Sequence, residues 1–384
     1  MIRVGLVGLG KMGISHQAVL GGNPGVELAG ICDSNSYLLG VLHKYTGVAT
    51  FSRLDDMLDS AKIDALVIAT PSRLHAPMVR AAIDRGVHIF CEKPFCLSTK
   101  DGQELAAAAA KKDLITQVGY HNRFVGTFLE VKRLLASNAI GDVTHVLAEA
   151  YGPVVLRPSG DTWRSKGLEG GGCLYDYAAH PINLVNWYLG EPRGAGGTVL
   201  NRVFSAEIDD EVSSTLYFDR GTTAQLSVSW SDESVRKMTT RLTLWGTQGR
   251  IFADRQECHV YLRDGSPMRS HAPGQYRVGW NTKYTTELTQ PVDFYLRGEE
   301  YTAELDHFVT RCEKGEVDGE NSFASAVVTD RTLETMIVDS RHAAMTPYDK
   351  TTPVDVQAES ARPATHRVGR TRRIRQIANR LIRR

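Results

Sequence analysis

The chain lacks any apolar run close to the roughly 20 residues that cross a bilayer as a helix. That excludes a helical membrane span. Its first residues enter a strand pattern directly, without an apolar leader, so no cleavable signal is expected. Cysteine is sparse: Cys32, Cys91, Cys96, Cys173, Cys258 and Cys312 are scattered, and no paired C-x-x-C accompanies them. This points to reduced thiols in a cytoplasmic protein, mostly as small buried side chains, and to no metal site. No segment repeats at a fixed period. Net charge of one sign is also nearly absent, at +1. That balance hides an asymmetry, because from Ala361 onward there are nine arginines and no acidic residue, which leaves −8 for the preceding 360 residues. An acidic body argues against nucleic acid as a partner.

What is present is ordinary for a soluble globular protein: 42% hydrophobic and 23% charged residues over 384 positions, a length that suits two domains. One stretch organises the rest. Val4-Gly5-Leu6-Val7 is an apolar run too short for a helix, followed by Gly8-x-Gly10-x-x-Gly13 and the start of a helical pattern. Gly8 permits a tight turn, Gly10 lets the backbone approach a pyrophosphate, and Gly13 lets helix and strand pack closely. The free N–H groups of the first helical turn, at Lys11 and Met12, then face the anion. A second apolar strand, Val26 to Cys32, ends at Asp33, 20 residues after Gly13, where a ribose-binding acid is expected. A carboxylate there accepts from ribose hydroxyls and repels a 2′-phosphate, so NAD is expected over NADP.

Up to residue 122 strands and helices alternate. Strands are expected at Ile63 to Ala69, Val87 to Phe90 and Ile115 to Val118, with helices at Tyr37 to Tyr45, after a Ser72 cap, and at Lys100 to Lys112. This is the pattern of a doubly wound parallel sheet, an α/β Rossmann domain over residues 1–122. Beyond it the pattern changes. A helix (Phe128 to Ala136), a strand (Val143 to Tyr151) and a helix around Leu174 to Leu189 precede alternating runs at Val212 to Phe218, Thr223 to Trp230, Thr239 to Trp245 and Arg250 to Ala253. Such runs predict an α+β domain, 123–345, with a large, mainly antiparallel open sheet. Leu262 to Pro291 reads as an irregular surface excursion, and helices at Thr302 to Cys312 and Phe323 to Asp339 close the globular part.

Two strand ends carry chemistry, Thr70-Pro71-Ser72-Arg73-Leu74-His75 and Cys91-Glu92-Lys93-Pro94. In an open α/β sheet, ligands sit beyond the carboxyl ends of the strands. A lysine there can polarise a hydroxyl or take part in proton transfer. A second constellation is Gly170-Gly171-Gly172 followed by Asp176 and His180, which are four apart and share a helix face continued by Asn183 and Trp187. The carboxylate can orient the imidazole as a general acid or base. Taken alone, each has a plainer reading, a solvated lysine and a helix-surface pair.

Together these residues resemble the glucose–fructose oxidoreductase / inositol 2-dehydrogenase family (Gfo/Idh/MocA). The likeness rests on the glycine turn, Thr70-Pro71 with His75, Glu92-Lys93-Pro94, Tyr120-His121-Asn122-Arg123-Phe124, Trp163-Arg164, and Gly171-Gly172 with Asp176 and His180, over roughly residues 1 to 345. The resemblance implies a nicotinamide cofactor, hydride exchange with a secondary alcohol or ketone of a sugar, nucleotide-sugar or cyclitol, and homo-oligomers (dimer or tetramer) built through the second sheet. It implies that Lys93, Asp176 and His180 are catalytic, and that Thr70, Pro71, His75, Glu92 and Lys93 meet the cofactor beside the glycine turn. Tyr120, Asn122, Arg123, Trp163 and Arg164 would then lie near substrate. The family often has aspartate where this chain has Asn183, which removes a charge at the expected cleft edge. A non-catalytic dinucleotide-binding regulator or scaffold is the alternative, and an oxidoreductase that never releases its cofactor a weaker one.

Residues 346–384 read as a linker and a basic tail. Within 371–384, Ile374, Ile377, Ala378, Leu381 and Ile382 fall at helical spacing with arginines opposite. Two readings stand: a solvated tail, or an amphipathic helix that attaches a cytoplasmic protein peripherally to the anionic inner face of the membrane.

Overall fold

The computed structural model describes residues 1–156, 163–267, 275–292, 294–296 and 298–342. The first part alternates as its apolar runs dictate: β1 (Ile2–Val7), α1 (Lys11–Gly22), β2 (Val26–Cys32), α2 (Ser36–Thr46), β3 (Thr50–Phe51), α3 (Leu54–Ser60), β4 (Ala65–Ile68), α4 (His75–Asp84), β5 (His88–Cys91), α5 (Thr99–Ala110) and β6 (Thr116–Val118). Its six strands form one parallel sheet in the order β3-β2-β1-β4-β5-β6. Local chemistry sets the helix ends. Asn35 caps α2 by accepting from the Leu38 N–H, and Gly47 closes it in the left-handed region. Ser98 caps α5 in the same way.

The second part holds α6 (Gly126–Ala136), β7 (Val143–Tyr151), α7 (Ala179–Leu189), β8 (Gly194–Asn201), β9 (Glu211–Tyr217), β10 (Thr223–Ser229), β11 (Arg241–Gly246), β12 (Gly249–Ala253), β13 (Glu257–Leu262), β14 (Gly279–Tyr284), the short α8 (Thr285–Leu288), α9 (Glu299–Lys314) and α10 (Phe323–His342). Its eight strands run β14-β13-β12-β11-β7-β10-β9-β8. Every neighbouring pair is antiparallel except β7 with β10.

One buried cluster runs from Ile68, Cys91 and Phe95 through Phe128 to Val146, Leu226 and Leu244, so the two sheets share a core. A second cluster lies on the other face of the parallel sheet, where Leu305 and Phe308 of α9 join Leu6 and Phe90. The chain thus returns to its first sheet long after leaving it.

Several elements depart from expectation. β3 and α3 are too short and too acidic (Asp55, Asp56, Asp59) to show a period. β8 is hidden by Gly194, Gly196 and Gly197. The expected surface excursion contains β14, an edge strand whose outward residues Trp280, Thr282 and Tyr284 alternate with Asn281 and Lys283 rather than with core residues. Ser72 does not cap α4, which begins after a 3-10 turn with Leu74 at its N-cap and no side-chain cap. Residues 346–384, including the arginine-rich segment, lie outside the described residues. Among those described, no helix is long and apolar enough to cross a membrane.

The glycine turn separates two roles. A Cβ at Gly13 would sit 1.8 Å from the Gly8 carbonyl oxygen, whereas at Gly10 it would meet nothing within 4 Å. Gly13→Ala is expected to lower the unfolding free energy by about 1–3 kcal/mol. Gly10→Ala should stay within about 0.5 kcal/mol. Urea denaturation midpoints of the two variants check this.

Candidate active site

Gly8 turns the chain at φ +95° after β1, and Gly10 stands at the N-cap of α1 with no side-chain cap and no acidic residue in the first turn. The positive end of the helix is therefore left for an anion. Asp33, at the end of β2, accepts the Leu9 N–H at 2.6 Å and the Asn35 N–H at 2.7 Å, which fixes its carboxylate beside the turn. This cradle, with Lys11 and Met12 on the first turn of α1, fits a dinucleotide pyrophosphate and ribose.

The carboxyl ends of β4 and β5 meet next to it. Glu92 accepts from the Lys93 N–H at 3.1 Å through Oε2 and contacts His16 Nε2 at 2.7 Å through Oε1. Burial works to raise the Glu92 carboxyl, but His16 and Lys93 outweigh it and hold it below its ordinary value. His16 had no sequence signal, being a lone histidine on the buried face of α1.

Lys93 Nζ donates to Asp176 Oδ1 at 2.8 Å and to the Asp176 main-chain carbonyl at 2.9 Å. Arg164 donates from Nε to the other carboxylate oxygen at 2.8 Å. Asp176 is buried, which alone would raise its carboxyl, yet the two cations keep it below the ordinary carboxylate range. It lies in a π-helical turn, Leu174–Ala178, ahead of α7. Asp209 anchors that turn, accepting the Leu174 N–H at 2.6 Å through its side chain and the Cys173 N–H at 2.8 Å through its carbonyl. Gly172 is required there: φ is +107°, and a Cβ would come within 2.5 Å of Asp209 Oδ1.

The expected Asp176–His180 contact is corrected by this geometry. Both Asp176 oxygens are taken by Lys93 and Arg164, and His180 Nδ1 is buried without a hydrogen-bond partner. His180 instead packs edge-on against Tyr120, centroids 6.3 Å apart, and against His121 at 4.9 Å. Burial, then Lys93 and Arg255, push its imidazole well below the ordinary value.

Other expected site residues are committed elsewhere. Arg123 donates to Asn183 Oδ1 at 2.8 Å, pairs with Glu320 at 3.3 Å and lies over the Trp187 ring at 5.4 Å. Asn183 also donates to Thr329, so it is a buried strut rather than a cleft-edge residue. His75 places Nε2 3.0 Å from the Thr70 carbonyl and Nδ1 2.9 Å from the Pro94 carbonyl, so it ties the two strand-end loops together. Tyr120 and Asn122 are buried, the latter beside Thr240. Trp163 begins a 3-10 turn with Arg164, and Pro71 is exposed.

Comparison with known proteins follows the same division. Residues 2–120 match the model of an oxidoreductase family with an NAD-binding Rossmann fold, and residues 128–252 match the GFO/IDH/MocA C-terminal domain. The uncharacterized oxidoreductase YdgJ of Escherichia coli (strain K12) is 31% identical over 220 residues, 56% of this chain and 60% of that protein, so the match spans less than two thirds of that relative. Myo-inositol 2-dehydrogenase of Thermotoga maritima is 26% identical over 274 residues, 68% of this chain and 78% of that protein. A levoglucosan dehydrogenase solved with NADH and levoglucosan shares the fold, with TM-score 0.78 at 22% identity over 89% of this chain and 97% of that one. GenD2 from gentamicin A biosynthesis, solved with NAD, has TM-score 0.71 at 25% identity over 88% and 94%.

Asp176→Ala is expected to destabilise the protein by about 3–5 kcal/mol, because it strands a buried ammonium. The folded pKa of Asp176 lies below the unfolded one, so its contribution is present above the ordinary carboxylate value and lost as pH falls through the folded one. Denaturation midpoints of wild type and variant should therefore converge in acid.

Proposed function

The chain belongs to the Gfo/Idh/MocA oxidoreductase family, and from that premise we propose that it is an NAD-dependent dehydrogenase or reductase. Its substrate in this reading is a secondary carbinol, or the matching ketone, of a sugar, nucleotide-sugar or cyclitol. The observation that carries the reading is the Lys93–Asp176 contact at 2.8 Å, with His180 four residues further on. The working division is a cofactor domain at 1–122, a substrate and oligomerisation domain at 123–345, and a tail at 346–384.

Gly8, Gly10, Lys11, Met12 and Gly13 would hold the pyrophosphate and Asp33 the ribose. Thr70, Pro71, Glu92 and Lys93 would flank the nicotinamide. When bound, the coenzyme takes up or supplies hydride at the carbinol carbon. His180 is kept neutral by burial and by Lys93 and Arg255, so it can accept the hydroxyl proton. Lys93, aimed by Asp176, stabilises negative charge developing on that oxygen. In the reductive direction the same groups return the proton. Asp176 therefore positions Lys93 rather than His180, and Arg164 shares its carboxylate.

An oligomer suits the open face of the second sheet, where Tyr217, Tyr261, Trp280 and Tyr284 are exposed. The tail, through residues 371–384, would hold this cytoplasmic enzyme at an anionic membrane surface. Sedimentation with anionic liposomes should fall when those residues are removed, and equal sedimentation of both forms would discard the attachment.

Lys93→Ala and His180→Ala should each lower kcat by about 100-fold or more in a panel of sugars and cyclitols followed at the reduced-nicotinamide band. Near-native turnover in both would refute the assignment. KM should favour NAD over NADP because of Asp33. Because the His180 pKa is lowered, the base stays neutral as pH falls through the ordinary histidine range. The acid limb of kcat/KM should lie below that range.

A further inference from the structure

Glu304 on α9 is fully buried, and neither of its carboxyl oxygens has a hydrogen-bond partner. Its main-chain carbonyl accepts from Gln117 Nε2 of β6 at 2.6 Å, which pins it against the edge of the parallel sheet. The ionisable groups on the elements packed around it are Lys11 and His16 of α1, Arg3 of β1, and His121 and Arg123 in the 3-10 turn His121–Phe124, and Glu92, with Lys93 beside it, reaches this region through His16, which its Oε1 meets at 2.7 Å. On α9 itself, Glu300 and His307 lie one turn away on either side. Among the cations, Lys93 is already engaged with Asp176, and Arg123 with Asn183 and Glu320. Glu300 is paired with Arg255.

Two carboxyl groups belong to this region: Glu304, buried and pinned by Gln117 of β6, and Glu92, whose carboxylate lies against Gly119 just beyond the end of β6 and on His16 of the helix packed against α9. Glu92 has donors, the Lys93 N–H and the His16 ring, while Glu304 has none. Two acids in such a site do not both ionise, and the one with donors holds the charge. We propose that Glu304 carries a proton at neutral pH and is a positioning residue. As a neutral acid it backs the Glu92–Lys93 turn, and when ionised it sets a second negative charge against Glu92 and loosens that turn. Burial first, and Glu92 second, push its ionisation well upward. The consequence for turnover rests on the reading of Lys93 given above, but the protonation state does not.

The linkage has a definite sign. With a folded pKa above the unfolded one, the folded chain keeps a proton that the unfolded chain releases. Stability therefore falls as pH rises through the ordinary glutamate value, until the folded group ionises as well. E304Q, neutral at every pH, removes that slope.

Three measurements on the full-length protein test this. Infrared spectra at neutral pH should show the carbonyl stretch of a protonated carboxylic acid that E304Q loses and D330N, a control for another buried acid, retains in part. Thermal melts from about pH 5 to about pH 9 should show E304Q gaining on wild type as pH rises. KM for NAD should climb at alkaline pH in wild type and stay flat in E304Q. An infrared band unchanged by E304Q, or a melting difference independent of pH, overturns the proposal. A pH titration of the band in wild type needs no variant to fold, and absence of a protonated acid at neutral pH also overturns it. The infrared and melting results stand even if no carbinol proves to be a substrate.

Discussion

The contact between Lys93 and Asp176 is the constraint on which the rest of the site depends. It spans 83 residues of sequence, joining the turn after a strand of the parallel sheet to the turn that opens α7 against the second sheet. A buried ion pair is a poor source of net stability, since desolvation offsets much of the attraction. Its value is geometric: an ammonium with both a carboxylate and a carbonyl to satisfy has few places to go. The same contact belongs to a longer chain of polar contacts, from His16 to Glu92, along the backbone to Lys93, then to Asp176 and Arg164. The first member sits on the helix that the glycine turn initiates. The cofactor cradle and the groups proposed to react are therefore joined by one continuous set of hydrogen bonds.

What holds the two ends of that system is largely backbone chemistry. His75 reaches a carbonyl in each strand-end loop, and Asp209 takes two N–H groups at the start of the π turn. Both are buried polar side chains whose loss would leave main-chain groups unsatisfied. The shared core does the rest. Phe323 of α10 stacks on Phe95, two residues after Lys93, at a centroid distance of 4.1 Å. Lys93 is thus fixed from below by packing as well as from the side by charge.

Much of this architecture was legible because it depends on local rules. The glycine spacing and the interval to Asp33 require only a tight turn and a strand of normal length. Lys93 and His180 drew notice as a lysine at a strand end and a histidine on a helix face, each with a plainer reading that only the family resemblance displaced. The parts that escaped depend on three-dimensional context. His16 and Glu304 are single polar residues on otherwise ordinary helices, and nothing within a few residues of either marks it. β8 and β14 lacked a period because glycine and solvent-facing aromatics replaced the usual alternation. The Asp176–His180 error is the most instructive one. Spacing of four predicts a shared face but not a partner, and a lysine and an arginine from outside the turn take the carboxylate instead.

That reassignment changes how the chemistry balances. A carboxylate on His180 would raise its basicity and favour the imidazolium. With Asp176 turned to Lys93, the histidine instead feels cations from Lys93 and Arg255 and is held neutral. In the proposed mechanism the field that weakens it as a base would also stabilise an oxyanion next to it, so a proton leaving the carbinol would be helped more at its origin than at its destination. Asp176 keeps the ammonium in place, and Lys93 first and Arg164 second keep the carboxylate ionised despite its burial. One carboxylate thus sets the position of the cation, and in the proposed mechanism it would do so without touching the reacting carbon.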